Sequence, residues 1–111
     1  PRIILDGAHN QEGIEALVVQ AKQERSVTVL TAILEDKDRD TMIHALQEIG
    51  DVYETTFDFP RARTRDQLLK DGARFVEWKE WLSDWMEAPT SETLIVTGSL
   101  YFISEVRRFL S

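Results

Sequence analysis

The 111-residue sequence contains no cysteine, so it can form neither a disulfide framework nor a zinc–thiolate site, and no thiol can act as a nucleophile. It also lacks a signal-peptide pattern and any apolar run near the roughly 20 residues needed to cross a bilayer. Basic charge is scarce, since 13 Lys and Arg stand against 20 Asp and Glu, for a formal net charge of −7. Phosphate backbones and anionic lipid surfaces attract cations, so we expect neither nucleic acid nor membrane as a partner. The composition is compatible with the cytoplasm, which is the expected location.

What the sequence does contain is enough apolar material for one core. Hydrophobic residues make up 42% of the chain and charged residues 30%, which is typical of a globular domain. A chain of this length buries roughly 65% of its unfolded surface. The chain begins with Pro1 rather than methionine, and a buried strand is predicted from Ile3 onward. We therefore expect residues 1–111 to be one domain excised from a longer chain.

Apolar runs typical of strands alternate with segments whose apolar residues recur at helical spacing. The predicted strands are Ile3–Leu5, Val27–Ile33, Val52–Phe57 and Leu94–Val96, the first two of a type buried on both faces. The predicted helices follow Asn10, the Glu35–Asp38 cluster, Arg65, Phe75 and Ser99, and the one with three tryptophans is expected to use them for packing. Short loops between these elements predict an α/β, Rossmann-like three-layer fold, with a mostly parallel sheet covered by helices on both faces.

In parallel sheets, ligands bind beyond the carboxyl ends of the strands. Four loops follow predicted strands and should share one rim of the molecule. They are residues Asp6–Asn10, Leu34–Asp38, Asp58–Arg63 and Gly98–Tyr101.

The loop Asp6–Asn10 is the densest polar cluster at a strand end. The Asp6 carboxylate suits the two hydroxyls of a ribose, because it offers two acceptor oxygens. His9 can donate to a phosphate or carboxylate, or carry a proton. In the alternative interpretation, Asp6 and Asn10 only cap the following helix and His9 bonds a backbone carbonyl.

Three further side chains at strand ends are candidates for binding an anion. Lys37 lies in the charged run Glu35–Asp38, whose other residues are typical of a solvated loop with a helix cap. Arg61 belongs to a basic loop that could equally balance nearby aspartates at the surface. Ser99 can hold an anion at a helix start, or can simply be the N-cap. Neither a P-loop nor a G-x-G-x-x-G fingerprint occurs in the sequence.

An ordered set of short motifs resembles the C-terminal domain of folylpolyglutamate synthase/dihydrofolate synthase, of the Mur ligase family. The motifs are D-G-A-H-N at residues 6–10 with Gly13, D-K-D at 36–38, F-P-R-A at 59–62, T-G-S-L-Y-F at 97–102 and E-V-R at 105–107. Each motif alone is weak, but the set covers nearly the whole chain in one order. Gln11 departs from the family pattern, which commonly has proline there, and this change should affect rigidity more than chemistry.

This resemblance implies an ATP-dependent amide ligase. Such enzymes phosphorylate the terminal carboxylate of folate or dihydropteroate, and the nitrogen of L-glutamate then attacks the acyl phosphate. The resemblance places the P-loop, the Mg²⁺ ligands and most of the pterin site in an N-terminal ATPase domain, the expected partner of this one. We therefore assign no metal ligand to the chain and expect the fragment alone to be inactive.

The resemblance also implies roles for single residues. Asp6 is expected to bind the ribose of ATP, and Asn10 is a second nucleotide-binding candidate. His9 and Ser99 are expected on the glutamate side, with His9 close to the phosphates and therefore the catalytic candidate. Further substrate-binding candidates at the same rim are Lys37 and Arg61.

Two other functions stay open at this point. One is a cell-wall Mur synthetase, although T-G-S-L-Y-F favours the folate branch. The other is a stand-alone doubly wound binding module such as a phospho-acceptor receiver. That module needs an acidic pair after the first strand, whereas Asp6 has no acidic neighbour.

Overall fold

The computed structural model describes residues 2–111. Its strands are β1 (Arg2–Leu5), β2 (Val27–Ala32), β3 (Asp51–Glu54) and β4 (Thr93–Gly98). Its helices are α1 (Gln11–Ala21), α2 (Arg39–Leu46), α3 (Arg65–Lys70), α4 (Trp78–Glu87) and α5 (Leu100–Leu110). Within this described range, no helix combines the length and apolar character needed to cross a membrane.

The four strands form one parallel sheet in the order β1-β4-β2-β3. Strands β2 and β4 are central, and all six residues of each are buried. This explains why both read as continuous apolar runs rather than as alternating patterns. The predicted α/β fold with a parallel sheet is confirmed.

Helices cover both faces of the sheet, as expected for three layers. Helices α1 and α2 pack on one face through a cluster that includes Ile14, Val29 and Met42. Helices α4 and α5 pack on the other face, where Leu30, Leu82 and Phe102 are buried together. Successive residues of β2 point to opposite faces, so each central strand contributes to both cores.

The tryptophan helix packs as predicted. Trp78 is buried and meets Phe102 edge to face, with ring centroids 5.6 Å apart. Trp81 lies against Tyr53 of β3 at 5.1 Å. These rings therefore belong to the α4–α5 core.

Both faces of β1 contact a core, as predicted, since Ile4 packs on the α1–α2 side and Ile3 and Leu5 pack on the α4–α5 side. The burial is weaker than predicted, because β1 lies at the edge of the sheet and Ile3–Leu5 are only partly buried. A short apolar run indicates that a strand contacts the core, but it does not show whether the strand lies at the edge or in the middle of the sheet.

Among the strand bounds, those of β3 and β4 differ most from the predicted ones. β3 ends at Glu54 rather than at Phe57, although the Thr55 N–H still donates to the Thr31 carbonyl of β2 (3.0 Å); the Thr55 hydroxyl donates to the Val76 carbonyl (2.7 Å). β4 runs from Thr93 to Gly98 and is longer than the apolar triplet from which it was predicted. Its flanking threonines are buried as well, since the strand is central.

Gly98 allows the end of β4 to approach β2 closely. Its φ is +114°, and a Cβ atom there would lie 2.4 Å from the Ala32 carbonyl oxygen. Its N–H donates to the Ala8 carbonyl (3.1 Å), so the same residue ties the β1–α1 loop to the sheet. A side chain at this position would meet both a steric clash and an unfavourable backbone conformation.

We expect Gly98→Ala to lower the free energy of unfolding by about 3 kcal/mol, since backbone strain and overpacking add at this site. Gly72→Ala is the matched control, because Gly72 also has a positive φ (+77°) but a Cβ atom there would meet no other group within 4 Å. The control should cost about 1–2 kcal/mol. Urea unfolding of both variants measures the difference, and equal losses would contradict the close-approach argument.

Candidate functional site

The carboxyl ends of the strands enclose a cavity of about 170 Å³. Four side chains predicted from the sequence line it, one from each rim loop. They are His9, Lys37, Arg61 and Ser99. Its remaining lining is largely apolar and includes Ile33, Met42 and Tyr101. An imidazole, an ammonium, a guanidinium and a hydroxyl around an apolar floor suit a small anionic ligand.

The β1–α1 loop is held by hydrogen bonds that leave one nitrogen of His9 available. The Ala8 carbonyl accepts from the Thr97 hydroxyl (3.1 Å) and from the Gly98 N–H, which fixes the loop against β4. His9 Nδ1 lies 2.8 Å from the Gly7 carbonyl oxygen. A carbonyl can only accept, so Nδ1 carries a proton and Nε2 of the neutral ring is an acceptor. The hydrogen bond to the Gly7 carbonyl is thus compatible with a role of His9 Nε2 in binding or proton transfer.

Ser99 is both the N-cap of α5 and part of the cavity wall. Its Oγ accepts from the Tyr101 N–H (3.1 Å), and only 4% of the residue is exposed. Its own N–H donates to the Ala32 carbonyl (3.0 Å) and is not available to a ligand. A ligand at this helix start would therefore meet the Ser99 O–H rather than the Ser99 backbone.

Two rim loops, residues 34–37 and 59–63, are joined side by side. Leu34 and Ala62 form an isolated antiparallel bridge, and the Glu35 N–H donates to the Arg61 carbonyl (2.9 Å). The Arg61 guanidinium also pairs with Asp36 at 3.0 Å. We call this arrangement the paired rim loops. It presents Lys37 and Arg61 to the cavity from one unit.

An aromatic stack beside the cavity was not predicted from the sequence. Phe59 stacks on Tyr101 with centroids 4.4 Å apart and on Phe57 at 5.5 Å. The Arg61 guanidinium lies 5.5 Å from the Phe59 ring centroid, a cation–π distance. The signal was present as Phe57 and Phe59 after the third strand and Tyr101 in the last motif, but only the fold shows that they meet.

Asp6 and Asn10 do not line this cavity. Asp6 lies on the opposite side of the loop, in a second cavity with Arg2 and Ile4, and its Oδ1 accepts the Ala8 N–H (2.9 Å). Asn10 is the N-cap of α1 and accepts the Gly13 N–H at 2.8 Å. The structure thus separates the two predicted nucleotide-binding residues from the four that share the cavity.

A largely buried ion pair joins the start of α2 to the end of β3. Arg39, the first residue of α2, makes a two-pronged contact with Glu54; the side chain of Glu54 is buried and that of Arg39 is 10% exposed. The hydrogen bonds to Glu54 raise the pKa of Arg39, against the opposing effect of burial. The sequence did not predict this ion pair, because the charged residues around Arg39 are typical of a solvent-exposed loop.

Asp38 is the N-cap of α2, the helix cap expected within the charged run. Hydrogen bonds from the Thr41 hydroxyl and the Thr41 N–H lower the pKa of Asp38, and the positive charge of Arg63 acts in the same direction. The carboxylate is therefore charged and committed to the helix start at neutral pH.

Among residues 2–111, no group of three metal-ligating side chains converges. The polar groups at the cavity are an imidazole, two cations and one hydroxyl, whereas Mg²⁺ prefers carboxylate, carbonyl and water oxygens. The side chains that line this cavity therefore do not fit a magnesium site.

Comparisons by sequence and by structure both find folylpolyglutamate synthases. The chain is 36% identical over 122 aligned residues to dihydrofolate synthase/folylpolyglutamate synthase of Bacillus subtilis, covering 99% of this chain and 28% of the relative. E. coli FolC, solved with DHPP and ADP, superposes with a TM-score of 0.82 at 27% identity over 99% of this chain and 28% of that one. A bifunctional folylpolyglutamate synthase/dihydrofolate synthase solved with Mn, AMPPNP and L-glutamate gives 0.78 at 29% identity, over 97% and 28% of the two chains. No family model matches.

The chain therefore spans just over a quarter of the length of these relatives. The resemblance to folylpolyglutamate synthase/dihydrofolate synthase that the motifs indicate is confirmed, and so is the fold that it implies.

Breaking the buried ion pair should destabilise the chain strongly. We expect Glu54→Ala to cost about 3–5 kcal/mol, because it leaves the Arg39 charge buried without its main partner. Arg39→Met combined with Glu54→Leu should recover most of that loss, since no buried charge is left unpaired. Asp51→Ala is the control; it removes the exposed pair with Arg74 and should cost less than about 1 kcal/mol. Urea unfolding of all three variants decides, and a double variant as unstable as Glu54→Ala would refute the pairing argument.

Proposed function

We propose that this chain, similar throughout its length to folylpolyglutamate synthases, is the glutamate- and nucleotide-binding domain of an ATP-dependent folate ligase. Residues 1–111 form that domain in this proposal, and an N-terminal ATPase domain of the same protein is its partner. The observation that carries it is the meeting of His9, Lys37, Arg61 and Ser99 at one cavity. Relatives solved with ADP, AMPPNP, DHPP and L-glutamate support the classes of ligand.

The proposed reaction joins a carboxylate to an amine. ATP first phosphorylates the terminal carboxylate of the folate or dihydropteroate, which gives an acyl phosphate and ADP. The ammonium of glutamate loses one proton, its nitrogen attacks the acyl carbon, inorganic phosphate leaves, and the nitrogen loses a second proton to give the amide. Phosphorylation is assigned to the rest of the ligase, because this sequence has no P-loop. ATP is thus consumed next to this domain and not by it alone.

At the cavity, the cationic side chains have the chemistry to hold glutamate. Lys37 and Arg61 can each pair with a carboxylate, and the largely apolar surroundings strengthen such charge-assisted bonds. The Ser99 O–H can donate to a carboxylate oxygen while its oxygen accepts from the Tyr101 N–H. These contacts would orient the amino group toward the acyl carbon.

His9 is the proposed acid–base group. Glutamate is bound as an ammonium, which must lose a proton before its nitrogen can attack. The Nε2 atom of His9 is free to accept that proton, since Nδ1 is committed to the Gly7 carbonyl. The orienting bond also keeps the ring in the tautomer that this task requires.

Asp6 is the proposed ligand of the ATP ribose. Its Oδ1 accepts from the Ala8 N–H, which orients the carboxylate and leaves Oδ2 for a ribose hydroxyl. Asn10 is the weaker nucleotide-binding candidate, because its side-chain oxygen already caps α1. Mg²⁺ would accompany ATP as a charge-neutralising ion, and its ligands are assigned to the rest of the ligase.

The folate branch is favoured over a cell-wall Mur synthetase, because the names of the similar proteins specify folate substrates. A phospho-acceptor receiver is disfavoured, since Asp6 lies in a different cavity from the cationic residues.

In the full-length ligase, we expect Lys37→Met to raise the KM for glutamate about tenfold, because one charge-assisted bond to a carboxylate is lost. The KM for ATP should stay within about twofold, since Lys37 lies away from the proposed ribose site. Lys79→Met, at an exposed position of α4, is the charge-matched control. Steady-state kinetics with varied glutamate make the comparison. An unchanged KM for glutamate would refute the proposed role of the cavity.

Asp6→Asn and Asp6→Ala together separate nucleotide binding from a structural role of Asp6 in the β1–α1 loop, where its Oδ1 accepts the Ala8 N–H. Both should raise the KM for ATP, by about tenfold for the alanine variant, because a charged acceptor of the ribose hydroxyls is lost. Asp6→Asn keeps an acceptor for the Ala8 N–H and should unfold near the wild-type temperature. Kinetics and thermal unfolding are measured on the same samples. If both variants lose only stability, with the KM for ATP unchanged, Asp6 has a structural role in the loop and does not bind the nucleotide.

A further inference from the structure

We propose that Arg63 is a positioning residue for Lys37, holding the backbone of the loop that presents the Lys37 ammonium to the cavity. The proposal rests on the function proposed above only where it assigns glutamate to Lys37. Neither the capping pattern nor the motif resemblance gave Arg63 a role.

Arg63 differs from the other arginines of its loop in how deeply it lies. Only 16% of its side chain is exposed, against 48% for Arg61, while Arg65 is exposed at the start of α3. Within residues 2–111, its Nε atom is buried and has no hydrogen-bond partner. Burying a guanidinium is unfavourable unless its charge and donors are used. The burial therefore calls for a compensating contact.

That contact is the backbone of Lys37. Arg63 Nη2 donates to the Lys37 carbonyl oxygen at 2.8 Å, while Asp71 lies farther away, with its Oδ2 3.9 Å from Nη1. The same carbonyl accepts the Arg39 N–H at 3.0 Å. Both lone pairs of the oxygen are thus occupied, one by the helix start and one by Arg63. A charge-assisted bond of this length is among the stronger hydrogen bonds of the loop.

The bond completes a series of links between the paired rim loops. The Leu34–Ala62 bridge comes first, and the Glu35 N–H to Arg61 carbonyl bond follows. Arg63 adds the link nearest to Lys37. The Lys37 N–H also donates to the Leu34 carbonyl (3.1 Å), so the peptide groups on both sides of its Cα are fixed. The ammonium is thereby restricted to the positions that its own side-chain rotamers allow.

A guanidinium suits this task better than an ammonium would. Its planar fork reaches the Lys37 carbonyl with one nitrogen and faces Asp71 with the other. The Asp71 contact ties the link to the end of α3, since Asp71 is the C-cap of that helix. The position of Lys37 is therefore set by the docking of α3 as well as by α2.

A double-mutant cycle in the full-length ligase tests whether Arg63 acts through Lys37. Arg63→Met should raise the KM for glutamate about fivefold, the scale of one hydrogen bond, with kcat nearly unchanged. Arg63→Met combined with Lys37→Met should be no worse than Lys37→Met alone, because the positioned group is already gone. Arg63→Lys should recover part of the loss. Arg65→Met is the matched control and should leave the KM for glutamate unchanged. Additive effects of the two substitutions, or an unchanged KM in Arg63→Met, would overturn the proposal.

A second measurement does not depend on the identity of the ligand. The full-length protein is treated with the N-hydroxysuccinimide ester of acetic acid, and acetylation of Lys37 relative to the exposed Lys79 is read by mass spectrometry. Arg63→Met should increase the relative acetylation of the partly buried Lys37 several-fold, and Arg63→Lys, which also serves if the methionine variant fails to fold, should increase it less. Equal acetylation in the variants and the wild type would overturn the proposal. If Lys37→Met leaves the KM for glutamate unchanged while acetylation still rises, the function of the cavity fails and the positioning role stands.

Discussion

The pairing of β2 with β4 is the constraint on which the rest of the structure depends. Six residues of each strand pair in register, from Val27 with Thr93 to Ala32 with Gly98. Parallel pairing brings both carboxyl ends to the same edge of the sheet, and every loop of the cavity leaves from that edge. Gly98 ends the ladder where a side chain would strike the Ala32 carbonyl. The distance between Ser99 and the paired rim loops therefore follows from backbone geometry rather than from side-chain contacts.

Charge is distributed unevenly in this acidic chain. The net charge of −7 comes from carboxylates over the surface, whereas Lys37 and Arg61 stand together at the cavity. Asp36 pairs with Arg61 on the solvent side, and Asp38 is committed to its helix. Neither Asp36 nor Asp38 lines the cavity. An anionic ligand would meet a local positive field within a protein that repels anions elsewhere.

The sequence predicts the layers of the fold and the edge that carries the site, because both follow from hydrophobic periodicity and from the geometry of parallel strands. His9, Lys37, Arg61 and Ser99 meet as the loop positions indicate. The sequence does not predict that Asp6 faces another cavity, since the side of a loop on which a side chain lies depends on its turn. Nor does it distinguish the buried Arg39 and Arg63 from exposed arginines, because the packing that buries them comes from residues distant in sequence.

The edge position of β1 has a consequence for how the chain behaves in solution. The outer edge of β3 is covered by residues 74–76, because the Glu54 N–H donates to the Arg74 carbonyl and the Val76 N–H donates to the Glu54 carbonyl. On β1, no strand within residues 2–111 pairs with the outer edge, and its backbone groups there remain open to another extended segment. The charged Arg2, paired with Glu24 of the loop after α1, is the feature of this edge that opposes such association. High salt, by screening the repulsion between chains that each carry a net charge of −7, would favour self-association through an intermolecular sheet.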